Sequence, residues 1–267
     1  MRIALTGKGG SGKTTLAATL ARVYARRGFR VNALDGDPNP NLAAALGVPA
    51  DEATRLRRVP REAILDERTD NGGQAHAHLA RPLDEVLAEF GVEAPDRVGV
   101  LTMTGLLGAG QGCICGQHGM VREVMEQLAD RPSDEVTILD SEASIEHLSR
   151  GTVRNVDALL VVTEPYYRSL ETAGRVVPLA RELGIERVWV IANKVRDERD
   201  RAAIYAYADS HDLEILGIVP YDERVAEADR RGRALVDHDP TSPAVVAIAA
   251  LADSIAARAG SAAPSAG

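Results

Sequence analysis

The chain has 267 residues, 45% of them hydrophobic and 3% aromatic, with a formal net charge of −8. That length suits one large α/β domain with a real core. The negative charge argues against nonspecific DNA or anionic membranes, and the few aromatics argue against single-strand stacking platforms, so neither nucleic acid nor membrane is an expected partner.

Residues 2–6 read as a short buried strand. Residues 13–27 read as a helix, with Leu16, Leu20, Val23 and Tyr24 at helical spacing. A strand at the very start leaves no room for a signal peptide, and no apolar run reaches about 18 residues, so a cytoplasmic chain is expected. Between strand and helix stands Gly7-Lys8-Gly9-Gly10-Ser11-Gly12-Lys13-Thr14-Thr15, which fits G-x-x-x-x-G-K-[ST] from Gly7 to Thr14. Such glycines let backbone N–H groups curl around phosphate oxygens, and the helix N-terminus adds a positive dipole. Lys13 is expected on the β- and γ-phosphates and Thr14 on Mg²⁺. The chain has 31 Lys and Arg, of which only Lys8, Lys13 and Lys194 are lysine. Surface cations are therefore arginine, and lysine is kept where a compact ammonium is hard to replace.

The run 31–35 reads as a strand ending in Asp35-Gly36-Asp37-Pro38-Asn39-Pro40-Asn41-Leu42. Two carboxylates two residues apart, just past a strand end, can reach one γ-phosphate and its metal. Residues 51–81 break the rhythm. They read as a charged loop around Thr69-Asp70-Asn71-Gly72-Gly73, in which His76 and His78 read as solvated residues, a weak two-histidine metal site being the alternative. A helix at 82–89 and a strand at 98–102 follow, with Asp96 as a turn residue.

Both cysteines lie in Gly112-Cys113-Ile114-Cys115-Gly116. A disulfide between such near neighbours would be strained, and the polar surroundings argue against core burial. Cys113 and Cys115 are therefore read as metal ligands, aided by the positive end of a helix expected at 117–130, where His118 reads as a helix-start residue with a further ligand as the alternative. One pair gives two thiolates and a closed site wants four, so two chains facing each other would complete it. Zn²⁺ would sit there tetrahedrally and Ni²⁺ could be square-planar.

The strand 135–140 ends in Asp140, placed to hold Mg²⁺. Further strands are expected at 157–163, 187–193 and 214–219. Further helices are expected at 169–183, 197–209, 222–231 and 242–258. Residues 260–267 read as a disordered tail after a single domain spanning 1–259. Strand and helix alternate, and several strands are apolar on both faces. The fold class is therefore α/β, a single P-loop NTPase domain with a mainly parallel, twisted sheet and helices on both faces.

The K-G-G-x-G-K-T-T form resembles the deviant Walker A ATPases, among them the septum regulator MinD, partition ATPases and the nitrogenase iron protein. Together with the Gly-Cys-Ile-Cys segment, Asp35 to Leu42, and Asp140-Ser-Glu-Ala-Ser-Ile-Glu-His-Leu-Ser-Arg-Gly-Thr152, the chain looks like the CooC group, accessory ATPases that mature nickel carbon monoxide dehydrogenase. The resemblance implies ATP hydrolysis with Mg²⁺ in an ATP-dependent homodimer. Lys8 would reach the partner's nucleotide, Asp37 would orient water, and Asp35 would lie nearer the metal. Asn193 and the Pro220 loop would meet adenine, with Arg196 where a guanine-reading aspartate would otherwise stand. Ser144 departs from a usual glycine, which implies slower switching. The resemblance also implies Ni²⁺ on Cys113 and Cys115 and a client nickel enzyme. A partition-type ATPase or an iron–sulfur carrier remains the alternative.

Overall fold

The computed structural model describes residues 1–37, 39–53, 56, 59–60, 65–69, 75–79, 81–103, 125, 134–141 and 156–259. Cys113, Cys115, His118, Ser144 to Thr152, the 260–267 tail and all of the expected 117–130 helix except Met125 lie outside these residues.

Among the described residues, eight strands form one sheet. They are β1 (Arg2–Thr6), β2 (Arg30–Asp35), β5 (Val92–Ala94), β6 (Val98–Thr102), β7 (Glu135–Asp140), β8 (Ala158–Thr163), β9 (Val188–Val195) and β10 (Ile215–Pro220). Their order is β10-β9-β8-β1-β7-β2-β6-β5. All neighbours pair parallel except β5, which runs antiparallel on the β6 edge.

Side chains alternate across the sheet, and both faces are covered. Ile3 and Leu5 pack with Leu16 and Leu20 of α1 (Lys13–Arg26) and with Ile248 and Leu251 of α9 (Pro243–Ala259). Ala4 faces the other way, in a core with Val86 and Phe90 of α4 (Leu83–Phe90) and Val176 and Val177 of α5 (Tyr167–Glu182). Burial on both faces explains why Ile3 to Leu5 of β1 and Ala158 to Val162 of β8 are apolar without alternation.

The remaining helices are α2 (Leu42–Leu46), α3 (Ala50–Ala53), α6 (Glu198–Ser210), α7 (Glu223–Arg230) and α8 (Leu235–His238). The loop expected over 51–81 is a correction. It contains α3 and an antiparallel ribbon of β3 (Leu65–Thr69) and β4 (Ala75–Leu79), with Arg68 opposite His76 and Asp66 opposite His78. Charged residues and histidines in these strands masked the two-residue period. The turn signal falls between the strands rather than inside a long loop.

Arg22 is also unlike the surface arginines the composition suggested, since it is 2% exposed. Its guanidinium donates to Asp96 Oδ2 at 2.6 Å, to both Asp237 oxygens at 2.8 and 2.9 Å, and to Leu46 O at 2.7 Å. It ties α1 to α2, α8 and the turn before β6. Arg26 reaches the same two carboxylates. Arg22→Met strands the Leu46 carbonyl and halves the counter-charge, so a loss of about 2–4 kcal/mol is expected in urea unfolding. Partial burial pushes the Asp96 carboxyl up, but hydrogen bonds from Arg22 and Arg26 outweigh it and hold the group below its ordinary 3.8. The folded value lies below the unfolded one. The stabilisation is therefore whole above about pH 4 and is lost as pH falls through the folded value. The Arg22→Met chain should show a flatter acid limb.

Candidate nucleotide site

β1 ends at Thr6, and the chain turns at once into the glycine loop. Gly7 passes so close to β8 that a Cβ would stand 2.1 Å from the Val162 carbonyl oxygen. Gly12 has φ 93°, and a Cβ there would meet Asn193 Nδ2 at 2.3 Å. The Ser11 N–H donates to Lys8 O at 3.1 Å, and the Leu16 N–H donates to Gly12 O at 3.0 Å. The loop therefore ends where α1 begins, and the first amides of that helix have no intrahelical acceptor. A helix start with a glycine turn in front of it suits a phosphate group.

Lys13 is buried and curls back over the loop, donating to Gly7 O at 2.8 Å and Lys8 O at 3.3 Å. Lys194, in the left-handed region at φ 59°, donates to Gly10 O at 2.5 Å. Lys8 completes the set at the loop's front, so every lysine of the chain touches this one loop. Scarcity of lysine in the sequence pointed at Lys8 and Lys13; it equally marked Lys194, which had no assigned task.

The carboxyl ends of β2 and β7 bring the acidic residues beside the loop. Asp35 and Asp140 are register partners on adjacent strands. The Thr14 hydroxyl donates to Asp140 Oδ2 at 2.6 Å. Asp140 Oδ1 is buried without a hydrogen-bond partner among the described residues, as is Ser11 Oγ. Burial pushes the Asp140 carboxyl up to about 7, with the charges of Asp35 and Asp37 adding to it and Thr14 and Lys13 opposing. Burial likewise raises Asp35 to about 6. Asp35 accepts from the Asp37 N–H at 3.1 Å and the Leu42 N–H at 2.8 Å, so it also braces the turn that carries Asp37. Asp37 in turn accepts from the Asn39 N–H at 2.8 Å. A hydroxyl and clustered carboxylates, one oxygen orphaned in a buried setting, fit a hard divalent cation such as Mg²⁺.

Beyond Gly12 opens a cavity of about 430 Å³, lined by Asn193, Lys194, Pro220, Tyr221, Val225 and Ile248 among others. The size and apolar back suit a nucleoside. Asn193 sits at its edge and has a further task unseen in the sequence. Its Nδ2 donates to Ser11 O at 2.7 Å, and its Oδ1 accepts from the Lys194 N–H at 2.9 Å. It thus fixes the loop's backbone from β9. Arg196, in the place a guanine-reading carboxylate would take, stacks 3.7 Å over the Tyr221 ring instead. Asp222 caps both helices behind the cavity, accepting from the Arg224 N–H at 3.0 Å and the Ala244 N–H at 3.2 Å. The structure thus gathers Lys8 to Thr15, Asp35, Asp37, Asp140, Asn193 and Pro220 at one end of the sheet. Among the described residues, no helix is long and apolar enough to cross a membrane.

Comparison with known proteins agrees with this geometry. The family described as CobQ/CobB/MinD/ParA nucleotide binding domain matches residues 3–236. The carbon monoxide dehydrogenase accessory protein CooC of Rhodospirillum rubrum is 39% identical over 245 residues, covering 90% of this chain and 91% of that one. An uncharacterized ATP-binding protein of Methanocaldococcus jannaschii is also 39% identical, over 87% of this chain and 90% of its own. In fold, the septum site-determining protein MinD from Pyrococcus horikoshii, solved with Mg-ADP, superposes with a TM-score of 0.69 at 22% identity, covering 97% of each chain. The chain belongs to the CobQ/CobB/MinD/ParA nucleotide-binding family and is a P-loop ATPase of the CooC-like, MinD-related kind.

Proposed function

We propose that this ATPase is a metallochaperone, closing as a dimer on ATP and delivering Ni²⁺ to a nickel enzyme such as a carbon monoxide dehydrogenase. The observation that carries the reading is the likeness to the R. rubrum accessory protein along nine-tenths of the chain, in a sequence whose two cysteines form one Cys-x-Cys. In this reading Gly9, Gly10, Ser11, Gly12, Lys13, Thr14 and Thr15 hold the triphosphate, and Asn193 and Pro220 border the adenine. Thr14, Asp35 and Asp140 hold Mg²⁺, which supplies charge neutralisation. Asp37 orients the attacking water, and Lys8 serves the nucleotide of the partner subunit. Cys113 and Cys115 of two chains supply four thiolates to the cargo metal, Ni²⁺ or Zn²⁺. The protein acts in the cytoplasm.

Metal and nucleotide are coupled here because both favour the closed dimer. Equilibrium dialysis with Ni²⁺ should show about one tightly held ion per dimer, bound more firmly with ATP than with ADP. Cys113→Ala and Cys115→Ala should each abolish that site. Unchanged nickel stoichiometry in either variant refutes the metal role. A membrane-positioning role draws no support from α9, which buries Val245, Ile248, Leu251 and Ile255 in the core and carries a single basic residue, Arg258, in its last turn.

A further inference from the structure

Lys8 is engaged on its own chain. Its ammonium lies 3.3 Å from the Tyr166 hydroxyl and 4.8 Å from the centre of the same ring. The hydroxyl accepts from Lys8 and donates to Glu164 Oε1 at 3.3 Å. The other oxygen of that carboxylate pairs with Lys194 Nζ at 3.2 Å, and Lys194 donates to Gly10 O. The contacts leave the phosphate loop at Lys8 and return to it at Gly10. Their anchor is firm. The Glu164 N–H donates to Ser169 Oγ at 2.9 Å, Ser169 is buried, and the Tyr166 carbonyl accepts from the N–H groups of Ser169 and Leu170 as α5 begins. Glu164 and Tyr166 follow directly after β8, whose residue Val162 packs on Gly7. The same strand end thus sets both the loop and the groups that hold its first lysine.

The geometry points to Glu164 and Tyr166 as positioning residues that keep Lys8 on its own chain and release it to a second copy only when closure outweighs these contacts. This rests on the reading that Lys8 serves the partner's nucleotide. An ammonium extended to a phosphate on another chain gives up the ring and hydroxyl on its own. A cation over an exposed aromatic ring is held weakly, so the grip sets a threshold rather than a block. The apparent dimer affinity is scaled by the fraction of chains whose Lys8 is free, and that factor enters twice because two lysines must leave. Glu164 completes the device. It orients the phenol from one oxygen and holds Lys194 against the loop with the other, so one carboxylate links Lys194 directly, and Lys8 through the Tyr166 hydroxyl.

The test is the ATPase rate per chain against protein concentration at saturating Mg-ATP, for the native chain, Tyr166→Ala, Tyr166→Phe and Lys8→Ala. The native rate should rise with protein concentration, and Lys8→Ala should stay flat and low. Tyr166→Ala should reach half its maximum at about tenfold lower protein concentration, with the rate at saturating protein within about twofold of native. Tyr166→Phe keeps the ring and should fall between. Tyr166 is 40% exposed, so its loss leaves the core intact. A merely structural role would lower the saturating rate or the melting temperature and leave the half-maximal concentration in place. A half-maximal concentration that stays put or rises in Tyr166→Ala overturns the proposal while leaving the dimer reading standing. If the native rate is independent of concentration and Lys8→Ala hydrolyses normally, the dimer reading itself fails and the proposal falls with it.

Discussion

Gly12→Ala should lose ATP affinity by at least about 100-fold while the sheet still folds. Two effects add. Gly12 sits at φ 93°, where an L side chain costs about 1–2 kcal/mol. The new methyl would also stand 2.3 Å from Asn193 Nδ2, the group that holds Ser11 O from β9. Either the loop backbone or Asn193 has to move, and the loop amides then no longer converge on one phosphate. About 2.7 kcal/mol corresponds to the 100-fold loss. Titration with a fluorescent ATP analogue measures it, and circular dichroism checks the fold. Binding within tenfold of native would show that the loop tolerates the shift and that phosphate binding does not require its present backbone path.

Asp140→Asn should act in two opposite directions. Hydrolysis with Mg²⁺ should fall by about 100- to 1000-fold, the scale for loss of one preorganised electrostatic group in an active site. The nucleotide-free chain should become more stable. Asp140 is buried beside Asp35, its carboxyl is pushed up to about 7, and one of its oxygens has no partner among the described residues. Its folded pKa lies above the unfolded 3.8, so the fold favours the protonated form. Native stability therefore declines as pH rises from about 4 to about 7 and stays lowered above that. Asparagine keeps an acceptor for the Thr14 hydroxyl and removes that penalty. A gain of about 1–2 kcal/mol, or about 3–6 °C in melting temperature at pH 8 without Mg²⁺, is expected and should shrink toward pH 4. A variant that is both inactive and less stable would mean that the charge is balanced in the free protein.

What the sequence disclosed was chiefly local. Gly7 to Thr15 is one continuous turn and helix start, so its meaning survives without the rest of the fold. Asp35 and Asp140 were legible because each ends an apolar strand. The strands themselves stood out because Ile3 and Ala4 face opposite cores that are both apolar. Short elements escaped: Leu42–Leu46 is little more than one helical turn, and the edge strand Val92–Ala94 has three residues. Partnerships across the chain also escaped. Arg22 sits at an ordinary helix position, and only folding brings Asp96 and Asp237 to it. Tyr166 and Lys194 meet the loop across more than 150 residues of sequence, and no spacing rule reaches that far. Asn193 was placed at the site by resemblance, yet its bond to Ser11 O could be found only in three dimensions.

The gathering of Lys8, Lys13 and Lys194 on one loop has a practical side. Apart from the amino terminus, every primary amine of this protein belongs to or touches the glycine loop. Acylation, whether by a cellular acetyl donor or by a coupling reagent at the bench, therefore has no harmless lysine to land on. Amine-directed dyes, crosslinkers and resin chemistries that react at lysine will therefore meet this loop, and the amino terminus is the one amine elsewhere. Attachment through an engineered thiol or an added tag spares the loop.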